Sequence, residues 1–487
     1  MMTHIFRGIS IVLALSAGMA QADPRTADQD AFGAEQHPAV LQKFGGEIDD
    51  PRVTGYVREL GMELASLTEQ EYDQWTFTVL DTPVVNAFAV PGGYIYVTRG
   101  LLTLANDEAE LAGVLAHEIA HIVEDHLKDR TDAGGDALRE GLLGAVIGGL
   151  LSNGDDRLGD AIKGGVMATV GYLGEFSQGQ EFEADKLGVE LLARAGYDPR
   201  AQADFLESLS AKHALESMLA GREYNPNSVE FFATHPADTE RVERALREAD
   251  LFGTSETRPR NQQAYFDIID GLIYGDSPEQ GFVRKHAFFH PVMKFAYQVP
   301  ESFTITNSAE SVQARGEDGG VMILTGGRAP NGSLTRYIER GWVRDIARQQ
   351  RVGQLRDLEQ LEINGLEAAT GILPITTRQG EAILRLTVIR RGDYLFRISG
   401  TSAVDDRIMA DDIFDAMKTF KSLEDWEVDL LRPYIISIER VGWRDSVERY
   451  AADMPFENFR EERFRTLNGL DQDDELQRGD YVKVIVE

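Results

Sequence analysis

Two imidazoles one helical turn apart, with a carboxylate beside the first, can hold a metal ion and move a proton next to it. The chain carries that set at His117-Glu118-Ile119-Ala120-His121. On a helix, the i, i+4 spacing puts His117 and His121 on one face, close enough to share a zinc ion at about 2.0–2.1 Å from each nitrogen. Glu118 is placed to take a proton from an activated water and return it to a leaving amine. The plainer reading is a pair of solvated helix histidines. A catalytic zinc needs a third protein ligand and an open position. Glu181, in EFEADKLGVELLARAGYDP, is the candidate, and Asp185, one turn further on, is spaced to accept the other ring N–H of a ligand histidine and fix its tautomer. The alternative is an ordinary acidic helix face through Glu181, Glu183 and Asp185.

These residues need two helices to carry them. Asp107 with Glu110 predicts a capping box, and Leu111, Val114, Leu115, Ile119, Ile122 and Val123 recur at helical spacing. Flanking apolar faces turn both histidines toward a core-facing cleft, where unliganded imidazoles have few partners. The second helix is predicted to stop at Gly196, ahead of Asp198-Pro199. His126, five residues past His121, falls off the ligand face and is expected to pack or to cap the helix end. Upstream, TFTVL and VVNAFAVPGGYIYVTRG read as strands.

Composition bounds the rest. With 487 residues, 43% of them apolar, the chain can build packed cores and is not globally disordered. It has no cysteine, so disulfides and thiolate ligands are excluded and a metal site must use histidine and carboxylates. MMTHIFR, a short apolar run and Ala20-Gln21-Ala22 form a signal-peptide pattern, with the mature chain expected to start at Asp23 in the periplasm. The apolar run is shorter than the ~20 residues of a spanning helix. The net charge of −32 becomes one unit more negative on cleavage, because the leader contains Arg7 and no acid. Nucleic acid and anionic lipid surfaces are therefore excluded as general partners. The GLLGAVIGGLL run at 141–151 is also too short to span a bilayer, so the mature chain is expected to have no transmembrane segment. That run reads as packing, with a mobile lid or a membrane-touching helix as alternatives.

HEIAH, the Glu181 to Asp185 spacing within EFEAD, the upstream NAFAVPGGYIYVTRGLL and the later THPADTER together resemble the Ste24/HtpX/BepA-type zinc metallopeptidases, a gluzincin group. The resemblance covers roughly residues 36–248. It implies one zinc per chain on His117, His121 and Glu181, endopeptidase activity with Glu118 as the proton carrier, and a place in the soluble periplasmic branch associated with outer-membrane protein assembly and quality control. The tetratricopeptide repeats of that branch have no counterpart in this sequence. By the same likeness Asn86, Ala87, Phe88 and Ala89 would lie on an edge strand that aligns extended substrate by main-chain pairing, and a plain sheet edge is the alternative. Arg241 has three readings: substrate contact, orientation of nearby carboxylates, or a surface ion pair. His235, just before Pro236, projects from a helix start. It is read as a fourth ligand that gates the zinc, as its counterpart in that branch implies. A donor to a developing oxyanion and a simple helix cap are the alternatives.

The organisation expected is α+β. A leader (1–22) precedes a mainly helical zincin peptidase domain with a small edge-strand sheet (23–253). A connector (254–287), a small α+β domain (288–428) and a short LysM-like module (429–487) follow. In the α+β domain KFAYQVP, FTITNS, VMILTGG, AILRLTVIRR and YLFRISG read as strands, with helices near 334–345 and 405–422. The last module is expected as a strand, two short helices around Leu467-Asn468-Gly469, and a closing strand after Gly479, and the LysM likeness would imply peptidoglycan binding. The function expected is hydrolysis of peptide bonds in unfolded or misassembled envelope proteins, with outer-membrane assembly machinery as a partner and a location peripheral to the outer membrane. A chaperone or scaffold with a latent metal site is the other class, and an intact Glu118 argues against it.

Overall fold

The computed structural model describes residues 24–69, 75–127, 176–219, 221, 239–253, 258–316, 318–348, 351–377 and 380–487. The expected leader, the 141–151 run and His235 lie outside the described residues. So do the start of the Thr234-to-Arg241 motif and Pro236.

The N-terminal part is helical around one small sheet. Helix α1 (Pro24–Lys43) leads to α2 (Pro51–Ala65). Asp50 caps α2 by accepting from the backbone of Arg52 and Val53, and Pro51, with no N–H to satisfy, fills the first turn. Strands β1 (Thr76–Leu80), β2 (Ala87–Val90) and β3 (Tyr94–Thr98) form a sheet of order β1-β3-β2. β1 runs parallel to β3, and β2 forms a hairpin with β3 through Ala87↔Val97 and Val90↔Tyr94. Gly92 and Gly93 turn that hairpin at φ 89° and 80°, where a side chain would be strained. After α3 (Arg99–Leu104) come α4 (Glu108–Val123), α5 (Gln178–Ala195), α6 (Ala201–Leu219) and α7 (Thr239–Asp250).

α4 starts as the sequence predicts, with one difference. Asp107 accepts from the Glu110 N–H at 2.9 Å, but the Glu110 carboxylate reaches back to the N–H of Asn106 rather than that of Asp107. α5 has a complete capping box between Ser177 and Gln180 and stops at Gly196 in a left-handed conformation. α4 approaches α5 and α6 closely because Gly113 has no side chain: a Cβ there would sit 3.3 Å from Leu192 Cδ1 and from Gln202 Cα.

The stretch expected as a connector is packed into the same core as the peptidase helices. Helix α8 (Gln262–Ile269) buries Tyr265, Phe266 and Ile269, and Arg260 pairs with Asp107 at 2.6 Å. The final segment has the predicted strand β4 (Tyr434–Arg440), two helices (Val447–Asp453, Arg460–Leu467) and strand β5 (Tyr481–Val486), but Leu467-Asn468-Gly469 ends the second helix instead of lying between the two, because Asn468 caps that helix and Gly469 takes a positive φ of 60°. β4 pairs antiparallel with β5 and with Ile273–Tyr274, so this segment shares a sheet with the stretch expected as a connector. Lys483 on β5 is fully buried, and its ammonium donates to the carbonyls of Thr103, Leu104 and Ala105 at 3.0, 2.8 and 2.8 Å. A cation there satisfies the C-terminal end of α3, immediately ahead of the metal-site helix.

Between these parts lies a seven-stranded antiparallel sheet built from strands in 303–403. Helix Arg407–Lys418 covers one face through Met409, Ile413 and Met417. On the other face a helical run begins with Leu334 and buries Ile338 and Ile346. The strand Leu366–Thr377 is not obvious from sequence because it contains Ala, Gly and Pro374. Pro374 is tolerated there because on that side it only accepts: its carbonyl takes the Gly353 N–H at 2.7 Å, where the regular pairing with Arg356–Ile363 has already ended at Ile372.

Candidate metal centre

α4 and α5 bring His117, His121 and Glu181 to one point in a buried pocket. His117 Nε2 and His121 Nε2 are 3.0 Å apart, and each lies 3.5 Å from an oxygen of Glu181. Ligands at about 2.0–2.1 Å from a tetrahedral zinc are roughly 3.3 Å from one another, so the donor set fits that ion.

The ring of His117 is oriented from behind. Its Nδ1 lies 3.0 Å from Asp185 Oδ1, and since a carboxylate only accepts, the ring proton belongs on Nδ1 and the Nε2 lone pair faces the centre. Asp185 is itself held by Arg241 on α7, which donates from Nε at 2.7 Å and from Nη2 at 2.7 Å. Gln202 on α6 donates to it at 2.9 Å. Burial would raise the Asp185 pKa, but the Arg241 guanidinium and the His117 hydrogen bond outweigh it and hold the carboxyl at about 2. Burial likewise lowers His117, while hydrogen bonds and charge from Asp185 and Glu181 push it up to about 9 in the metal-free chain. A cation at the centre would take the place of that second proton.

Arg241 is 3% exposed and also meets Glu181 at 2.8 Å, so it is not a surface ion pair. Of the readings made from sequence, the geometry is that of a residue orienting two carboxylates. Arg241 also lines the cleft together with His117 and Glu118.

The sheet edge meets the site in part. β2 is an edge strand, and Asn86 and Ala87 line the cleft together with Val114, His117 and Glu118. Asn86 is 1% exposed, and its side-chain Nδ2 makes no hydrogen bond among the described residues. The side chains of Phe88 and Ala89 do not line the cleft. Phe88 points to the opposite face, against Tyr96 and Phe44 at ring distances of 4.9 and 5.3 Å. Ala89, further along the strand, belongs to the main core.

Two contacts were missed from sequence. Gln202 approaches α5 over Gly188, where a Cβ would fall 2.6 Å from its Oε1, and nothing local marks it. His126 does cap the helix end, its N–H donating to the His121 carbonyl at 3.1 Å, but its ring is not off the site. Its Nδ1 lies 3.0 Å from Nδ1 of His121, and its Nε2 lies 3.2 Å from Glu183 Oε2.

Two helices presenting two imidazoles and a carboxylate to one point, with Glu118 in the same cleft, form a site of the His₂Glu metallohydrolase class. Residues 51–249 match the profile of peptidase family M48. The beta-barrel assembly-enhancing protease of Escherichia coli (strain K12) is 32% identical over 203 residues, 42% of this chain and 40% of that protein. The protein of the same name from Yersinia pestis is 30% identical over 227 residues, 46% of this chain and 44% of its own length. The mitochondrial metalloendopeptidase OMA1 of Schizosaccharomyces pombe is 29% identical over 219 residues, 44% and 57% of the two chains. The chain thus spans less than half the length of the beta-barrel assembly-enhancing proteases it matches. No helix among the described residues is long and apolar enough to cross a membrane.

Proposed function

We propose that the chain is a zinc-dependent endopeptidase of the bacterial periplasm that hydrolyses unfolded or misassembled envelope proteins, in support of outer-membrane assembly. The observation that carries this reading is the convergence of His117, His121 and Glu181 at 3.0–3.5 Å with Glu118 lining the same cleft. Those three residues would hold the ion, which when bound supplies Lewis acidity toward water and toward a peptide carbonyl. Glu118 takes the proton of the attacking water at its carboxylate and delivers it to the departing amine. The edge of β2 pairs with extended substrate through its main chain, and Asn86 donates from Nδ2 to a substrate carbonyl. Leu101, Val114, Phe205, Leu206 and Leu209 give the cleft an apolar wall for a substrate side chain, as suits a protease of segments that are buried when correctly folded. His235 acts as the gate, and His235→Ala speeds proteolysis if it does.

The location and the pairing with outer-membrane assembly rest on the leader pattern and on likeness to the beta-barrel assembly-enhancing proteases. Cleavage of an unfolded protein by the purified full chain, compared with Glu118→Gln, tests the reaction. Loss of cleavage with zinc retained supports it. Equal cleavage by the two proteins would leave a scaffold or chaperone as the better account.

A further inference from the structure

The ring of His121 has its own orienting partner, reached by an unusual end to α4. The helix ends at Val123 with Glu124 as cap, and Asp125 then turns left-handed at φ 55°. The next N–H, that of His126, bonds back to the carbonyl of His121 in the six-to-one pattern of a left-handed helix stop. This fold-back carries the buried His126 ring to the Nδ1 edge of His121, while Phe176 stacks on the face of the His121 ring at a centroid distance of 3.6 Å.

The hydrogen bond between the two rings has a direction that the surroundings decide. Two imidazole Nδ1 atoms at 3.0 Å require one to donate and the other to accept. Glu183 Oε2 faces His126 Nε2 at 3.2 Å, and a carboxylate accepts. The proton of a neutral His126 therefore belongs on Nε2, its Nδ1 carries a lone pair, and the bond runs from His121 Nδ1–H to His126. The reverse direction would put the proton of His121 on Nε2, pointing at His117 and Glu181, where it would block metal binding. We propose that His126 is a positioning residue of the metal centre: it accepts the Nδ1 proton of His121 and so holds the Nε2 lone pair toward the ion, with Glu183 fixing the direction of the bond. It does for His121 what Asp185 does for His117, through one additional ring. The proposal rests on the metal site proposed above.

The test uses the full chain loaded with zinc and carrying ¹⁵N-labelled histidine. Long-range ¹H–¹⁵N correlations are expected to show His121 protonated at Nδ1 and His126 protonated at Nε2 alone. A proton on Nδ1 of His126 overturns the proposal without any substitution. Zinc affinity is read in parallel by competition with a chromophoric chelator. His126→Phe keeps the ring volume but cannot accept, and is expected to weaken zinc about 10 to 100-fold, as loss of such partners does. His126→Asn places Oδ1 where Nδ1 stood and is expected to restore most of that loss. Zinc affinity unchanged in His126→Phe, or equally weakened in both variants, overturns the proposal while leaving the metal site standing. A wild-type chain that binds no zinc would sink the metal site itself.

Discussion

Replacing Arg241 with Met tests whether this residue serves the metal centre or the substrate. The substitution keeps the length of the side chain and removes two hydrogen bonds of 2.7 Å to Asp185 and an ion pair of 2.8 Å to Glu181. Both carboxylates are fully or nearly fully buried, at 2% and 1% exposure, so water cannot take over from the guanidinium. Breaking a buried pair from one side typically costs about 3–5 kcal/mol. Gln202 and His117 still hydrogen-bond Asp185, which puts the expectation near the lower end, about 3 kcal/mol. At roughly 2–4 °C per kcal/mol for a unit of this size, the metal-free protein should melt about 6–12 °C lower. Calorimetry of the metal-free full chain is the assay, because bound metal would itself neutralise the carboxylates. Adding Asp185→Asn removes one of the stranded charges, so the double variant should recover part of the loss. Zinc affinity should fall along with stability. A raised KM in Arg241→Met, with melting temperature and zinc affinity unchanged, would refute the reasoning and return Arg241 to the substrate.

Lys483→Met removes the ammonium bonded to the carbonyls that close α3, and at about 1–3 kcal/mol for an unsatisfied buried group it should destabilise the protein by about 2–4 kcal/mol in denaturant titrations. A change below about 0.5 kcal/mol would mean that β5 does not anchor this region. His290, in the central α+β part, is pulled down to about 4 by burial and by Arg391, and its Nδ1 accepts the Met293 N–H, which a protonated ring cannot do. The unfolded chain takes up that proton near the ordinary value of 6.5, so folded stability should fall as pH drops from about 6.5 to about 4, and His290→Gln should flatten part of that slope. An unchanged slope in the variant would assign the pH dependence elsewhere.

What the sequence displayed about the site was what lies along a single helix. The i, i+4 spacing of His117 and His121 and that of Glu181 and Asp185 are local, and the capping signals at Asp107 and Gly196 mark where the first of those helices begins and the second ends. What it hid depends on how distant segments meet. Five residues past His121, a continuing helix would carry His126 about 140° around the axis. The left-handed turn falls at Asp125, a residue that tolerates that conformation without announcing it as glycine would. Arg241 reaches Asp185 across 56 positions, and only the packing of α7 on α5 decides that it is buried. Lys483 interrupts an apolar strand and reads as a solvent-facing position, yet Val482, Lys483, Val484 and Ile485 are all buried because the strand is covered on both faces. The same covering packs the final segment and residues 262–272 into the peptidase core, where the sequence suggests a connector and a separate module.

The most direct test of the metal centre is the zinc content of the purified full chain and of its Glu181→Ala variant, measured by elemental analysis after loading and removal of excess metal. The account predicts about one zinc per wild-type chain and loss of that zinc when the carboxylate is removed, as a two-histidine, one-glutamate site requires. A wild-type chain without zinc, or a Glu181→Ala chain that keeps it in full, would contradict the account.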